Sequence, residues 1–170
     1  MRYWPKWSQW AAGANELSQG VFSSLGGDDI VSRRRVINPT SHYPPIRPYY
    51  SQAVLVEEGA LLFTSAEAPF DVDGNLVGEG DAAIQMRQCL QNLAITVEAA
   101  GASLDDVISM DVLLVDVDDF ERIAPVREEY FPSDGPAAFL AAGLVFPIPG
   151  MLLEIRAVVA VPPQTPRQSP

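Results

Sequence analysis

Between residues 48 and 161 the apolar positions change their period several times, and each change marks an element. Ser51 to Glu57 and Ala60 to Ala66 are short strand-like runs on either side of Glu58-Gly59, a pattern that predicts a β-hairpin. Asp73-Gly74-Asn75 is a second turn signal. From Asp81 the spacing becomes helical. Ala83, Met86, Leu90, Leu93, Val97 and Ala100 share one face, with Asp81 as the N-cap and Gly101 as the stop. Val107 to Val115 reads as a buried strand. Asp119 opens a shorter helix carrying Phe120, Ile123, Val126 and Tyr130, which Pro132 and Ser133-Asp134-Gly135-Pro136 end. Ala137 to Ala142 and Met151 to Val161 are the last strands, around a loop with Pro147 and Pro149. The order ββαβαββ, with the helices segregated, predicts an α+β fold.

The flanks read differently. Residues 1–47 form an aromatic and basic extension in which Trp4, Trp7 and Trp10 lie three apart, on one helical face. Three tryptophans left in water would make an apolar patch, so they pack on the core, on another subunit, or as a lid over a ligand. Asn38 to Pro45 reads as extended because of its prolines. Residues 162–170 are too rich in Pro and polar residues to build a core and read as disordered. The 170-residue chain therefore divides into an extension (1–47), one domain (48–161) and a tail (162–170).

Charge narrows the partners. The net charge is −11, but residues 1–47 carry +3 and residues 48–136 carry −15. Such an acidic body repels phosphate backbones, which argues against nucleic acid. Arg33-Arg34-Arg35 is too short for a nucleic-acid or membrane patch and is expected to contact the acidic body. No apolar stretch reaches the roughly 18 residues of a membrane span, and no signal-like segment follows Met1, so a cytoplasmic location is expected.

Candidate chemistry is sparse. One cysteine, Cys89, excludes an intramolecular disulfide and a Cys-rich zinc site, and it falls beside Leu90 where burial is expected. His42 is the only histidine, so a multi-histidine metal site is excluded, and a Ser-His-Asp triad would have to use it. No P-loop, GxGxxG, GxSxG or HExxH occurs. Asp116, Asp118 and Asp119 lack the remainder of a calcium loop and read as a capped strand-to-helix turn.

Several stretches, taken together, carry a resemblance. They are Pro48-Tyr49-Tyr50-Ser51-Gln52-Ala53, Leu62-Phe63-Thr64-Ser65, Gln85-Met86-Arg87-Gln88 with Gln91-Asn92-Leu93, and Glu98 through Val107. Asp119-Phe120, Tyr130-Phe131-Pro132 and Leu153-Glu154-Ile155-Arg156-Ala157 follow in order. Over about two-thirds of its length the chain resembles the RidA/YjgF family of reactive-intermediate deaminases, once named endoribonuclease L-PSP. The resemblance implies a chorismate-mutase-like sheet packed on two helices, and a homotrimer whose sheets form a central barrel. It also implies small-molecule sites in the clefts between subunits. The implied chemistry is hydrolysis of imines and enamines to a carbonyl compound and ammonia, with no metal or organic cofactor.

Site residues follow by the same resemblance. Glu154 falls at the family's acid/base glutamate; its bland alternative is an interface carboxylate paired with an arginine. Tyr50 falls at the tyrosine that closes the cleft, and Ser65 beside the backbone that lines it. Three departures from the pattern involve four positions. Ala138 stands where active deaminases carry the arginine that holds the substrate carboxylate. Ala66-Glu67 stands for glycine-glutamine, and Ala124 for an asparagine on the second helix. A charged hydrogen bond contributes roughly 1.5–3 kcal/mol, so losing that anchor costs one to two decades in binding of a small 2-imino acid. Two readings stay open. In one, the site is rebuilt for a larger or less acidic ligand, with Phe139, Leu140 and Phe146 as apolar walls. Its cation then comes from Arg156, Arg47 or the Arg33–Arg35 run. In the other, hydrolysis is lost and the trimer binds a ligand or partner.

Overall fold

A computed structural model of the protein describes residues 34–41, 45 and 47–163. The tryptophan face of the extension, Arg33, His42 and the end of the tail lie outside these residues. The described chain runs β1 (Arg34–Ile37), β2 (Ala53–Val56), β3 (Ala60–Phe63), α1 (Ala82–Ala99), β4 (Val107–Leu114), α2 (Phe120–Tyr130), β5 (Ala137–Ala141) and β6 (Leu153–Val161). A four-stranded sheet has the order β3-β6-β4-β5, antiparallel except for the parallel pair β4 and β5 that α2 connects.

The helices form where the periodicity placed them. The Asp81 side chain accepts from the backbone N–H groups of Ala83 and Ile84, satisfying two donors that a helix start leaves open. Gly101, at φ 79°, takes the left-handed turn that ends α1. Met86, Cys89, Leu90, Leu93 and Val97 of α1 are fully buried against one face of the sheet. That face is built by strict alternation: Met110, Val112 and Leu114 on β4, and Leu153, Ile155, Ala157 and Val159 on β6. Asp116, as expected, caps its own turn by accepting from Asp118 N–H at 3.0 Å.

The expected hairpin does not form. β2 and β3 follow each other through Glu57–Gly59 yet belong to different sheets, and β2 pairs antiparallel with β1, from Arg34↔Val56 to Ile37↔Ala53. The N-terminal extension thus supplies a strand. This small sheet is tied down by side chains: Arg34 donates to the carbonyls of Val107 (3.2 Å) and Asp134 (3.1 Å), and Arg35 pairs with Glu57 (3.4 Å). Ser51 locks the incoming segment to the start of β5 through its Oγ on Gly135 O (2.6 Å) and its N–H on Pro136 O (3.0 Å). Gly135 must be glycine for this approach, because a Cβ there would collide with the Tyr49 carbonyl.

Among the described residues, the helices cover one face of the four-stranded sheet. The other carries Phe63 and Phe139, 69% and 60% exposed, with Leu61 beside them.

Candidate functional site

The open face holds a cleft of about 640 Å³, and β6 supplies its chemistry. Glu154 and Arg156 are two residues apart on that strand, so they emerge on the same side. Across the ladder, β4 sets Leu113 opposite Glu154 and Asp111 opposite Arg156, and β5 sets Phe139 beside Asp111. The chain leaving β3 forms the rim. Thr64 is doubly bonded to Ala157, giving its N–H to the carbonyl (3.0 Å) and accepting the Ala157 N–H on Oγ1 (2.9 Å). Glu67 exchanges two backbone bonds with Ile155 (2.6 and 3.1 Å). Between these anchors, Ser65 and Ala66 span what Arg156 alone spans on β6, so the chain bows as in a β-bulge and exposes both.

The charges are differently placed. Glu154 makes no hydrogen bond or ion pair among the described residues, and burial raises its carboxyl above the usual range. Arg156 donates Nε to Asp111 Oδ2 at 2.6 Å. The Glu67 carboxylate turns away from the cleft to accept from Thr96 Oγ1 of α1 at 2.8 Å, so it adds no charge to the lining. Behind the cleft, burial pushes the Cys89 thiol up, and the charges of Glu67 and Glu154 push it further. This thiol is a core group, not a nucleophile.

Of the residues singled out from the sequence, the structure brings together Glu154, Arg156, Ser65, Ala66 and Phe139. Tyr50 lies elsewhere, with Arg47 and Asp134 in a shallower depression of about 390 Å³. Ala138 is exposed, but its register with Met110 puts it on the opposite side of β5 from Phe139. Ala124 is buried in the core on α2, because its helical position faces inward between Ile123 and Val126. The leader arginines that are described do not reach the cleft: Arg47 forks onto Glu121 (2.9 and 3.0 Å), and Arg34 and Arg35 are engaged as above. Arg156 is the cation that lines it among the described residues. Asp111 escaped the sequence reading. Its signal was the one charged residue in a mostly apolar strand, a place where a charge needs a partner.

Comparison with known proteins agrees with this architecture. A profile of the family described as endoribonuclease L-PSP matches residues 40–161, well over half the chain. A Rid-family protein of unknown function from Yersinia pestis superposes with a TM-score of 0.70 at 28% identity, over 75% of this chain and 98% of that one. A Thermotoga maritima protein described as a proposed endoribonuclease is 32% identical over 74% of this chain and 96% of its own, with a TM-score of 0.56. An Entamoeba histolytica protein of the L-PSP type gives 26% identity, 76% and 100% coverage and a TM-score of 0.56.

Proposed function

The chain belongs to the Rid/YjgF, or endoribonuclease L-PSP, family, and from that premise we propose that it is a cofactor-free hydrolase of imines or enamines. The observation that carries this reading is Glu154, a carboxyl with no partner among the described residues and with its pKa raised by burial, lining a cleft with Arg156, Phe139 and Leu113. In the reaction a C=N bond and one water give a C=O bond and ammonia. As a carboxylate, Glu154 takes one proton from the attacking water and passes it to the imine nitrogen as the C–O bond forms, giving a carbinolamine. It then carries the hydroxyl proton to the nitrogen as the C–N bond breaks, so both water protons leave with the ammonia. Arg156 holds an acid group of the substrate, and Phe139 and Leu113 cover its apolar body. A ligand larger or less acidic than 2-aminoacrylate fits these walls and the alanine at position 138.

The assembly proposed is a homotrimer with the ligand in a cleft between subunits. Phe63, Leu61 and Phe139 support it, because large apolar side chains left on an open sheet face favour burial against another copy. Tyr50 and Ala138 would then approach the cleft from a neighbouring subunit. RNA cleavage, which the older family name suggests, is disfavoured by the acidic body.

The test is a deaminase assay with imino acids generated in situ, one of them bulky and aromatic, following imine loss and ammonia release. Wild type is expected to be active on the bulky substrate and Glu154→Gln to be inactive. A second reading, a ligand-binding trimer without turnover, is favoured by alanine at 124 and 138. It predicts that Glu154→Gln keeps ligand affinity and that Ala138→Arg creates activity in a silent protein.

A further inference from the structure

Arg156 lies 65% exposed at its side chain, and a long exposed side chain explores many rotamers unless something holds it. Asp111 does hold it. The two residues are direct partners across the antiparallel β4–β6 ladder, so their side chains leave the sheet side by side. Asp111 is itself mostly covered, with 20% of its side chain exposed, and its Oδ2 takes the Nε proton at 2.6 Å. Nε is the inner edge of the guanidinium. Neither terminal amino group of Arg156 makes a hydrogen bond to the described residues, and Arg156 lines the cleft with Glu154 and Phe139.

We propose that Asp111 is the positioning residue of this cleft, fixing the Arg156 guanidinium so that its two terminal amino groups stand as a preformed fork for a carboxylate. The inference rests on the anchoring role given to Arg156 above. A planar guanidinium binds a carboxylate through two parallel N–H bonds only when its plane is set correctly, and a bond at Nε sets it. Stability alone explains the pair poorly, since an ion pair with one partner in solvent contributes little to folding. Positioning also gives the acid in mid-strand a use: Asp111 surrenders hydration to pre-order a group that would otherwise lose its freedom on binding. The class of ligand that follows is a monocarboxylate with an apolar body, the body lying on Phe139 and Leu113.

Simple electrostatics and positioning predict opposite signs, which makes the test sharp. Removing the Asp111 charge lowers the negative potential that an incoming anion meets, so by charge alone Asp111→Asn would tighten anion binding. Positioning predicts weaker binding. The probe is 3-phenylpropanoate, titrated calorimetrically into the full chain at neutral pH. Arg156→Gln is expected to weaken it by roughly tenfold or more, the value of a lost charged hydrogen bond. Asp111→Asn is expected to weaken it about three- to tenfold, and the double variant to match Arg156→Gln alone, because Asp111 acts only through Arg156. The Nε–H resonance of Arg156 in the wild-type protein gives a readout without substitution; it should exchange slowly with water and do so before the probe is added. Tighter or unchanged binding in Asp111→Asn, or a rapidly exchanging Nε–H, overturns the inference while leaving the anchor intact. An Arg156→Gln variant that binds like wild type, or a wild type that does not take the probe, overturns the anchor itself.

Discussion

Two arginines, one on each side of the sheet, show what the two sides are for. Arg127 sits on the covered side, 2% exposed, with its guanidinium 4.3 Å above the ring of Tyr49 and with Nε and one terminal nitrogen making no hydrogen bond among the described residues. Burial pushes its pKa down to about 10, so it stays charged at neutral pH at a cost of about 3 kcal/mol. Among the described residues the Tyr49 π face answers that charge, and a desolvated cation–π contact contributes about 2 kcal/mol. Arg156, on the open side, keeps its water and has a carboxylate at 2.6 Å. One arginine strains against the core that encloses it; the other is held ready over a cleft. The difference teaches that burial measures cost, while a partner and an open edge measure use.

Four experiments would break or sharpen that contrast. The largest effect belongs to the covered side: Leu93→Ala, at a fully buried site on α1, should lose about 2–5 kcal/mol in urea unfolding. Next comes the open side, where Glu154→Gln should reduce kcat about 100-fold or more without lowering Tm. A fall in Tm with activity retained would make Glu154 structural. Arg127→Met should then raise stability by about 1–3 kcal/mol, because an apolar side chain of similar length needs no counter-charge. A loss in denaturant titration would instead give the Tyr49 contact more weight than its charge deserves.

The smallest effect is a pH dependence. Because burial raises Glu154, the folded chain keeps a proton that the unfolded chain has already released. The contribution of this group to stability is complete below the ordinary carboxylate range and is lost as pH rises through the raised value. Tm of wild type minus Tm of Glu154→Gln should therefore fall as pH rises from the ordinary carboxylate range through the raised value. A difference that is flat across that range would deny Glu154 its perturbed environment.

Much of the fold was legible because it is written in local periods and caps. Asp81, Gly101 and the apolar face of α1 are short-range features, and so is the alternation of β4 and β6. The partner of β2 was not legible. Its own pattern fits any neighbour, and the choice of β1 over β3 is made by long-range ties such as Arg34 on Val107 and Ser51 on Gly135. The site divided in the same way. Glu154 was foreseeable from the family resemblance, Arg156 from its spacing of two from Glu154 on one strand, and Phe139 from its apolar bulk. Asp111 was not, since its partner lies 45 residues away in sequence and only strand register brings the two together. Register likewise turned Ala138 to the other side of β5, where residue type alone says nothing about direction.

Cys89 makes the chain its own stopwatch. The thiol is fully enclosed, and two carboxylates hold down what little thiolate its burial allows. A thiol reagent can therefore modify the protein only during excursions that lift α1 from the sheet, and the labelling rate counts those openings directly. As this is the single cysteine, the reading needs no engineered probe and no correction for a second site. A ligand seated in the cleft on the far side of β6 should slow the clock, registering occupancy as time spent closed.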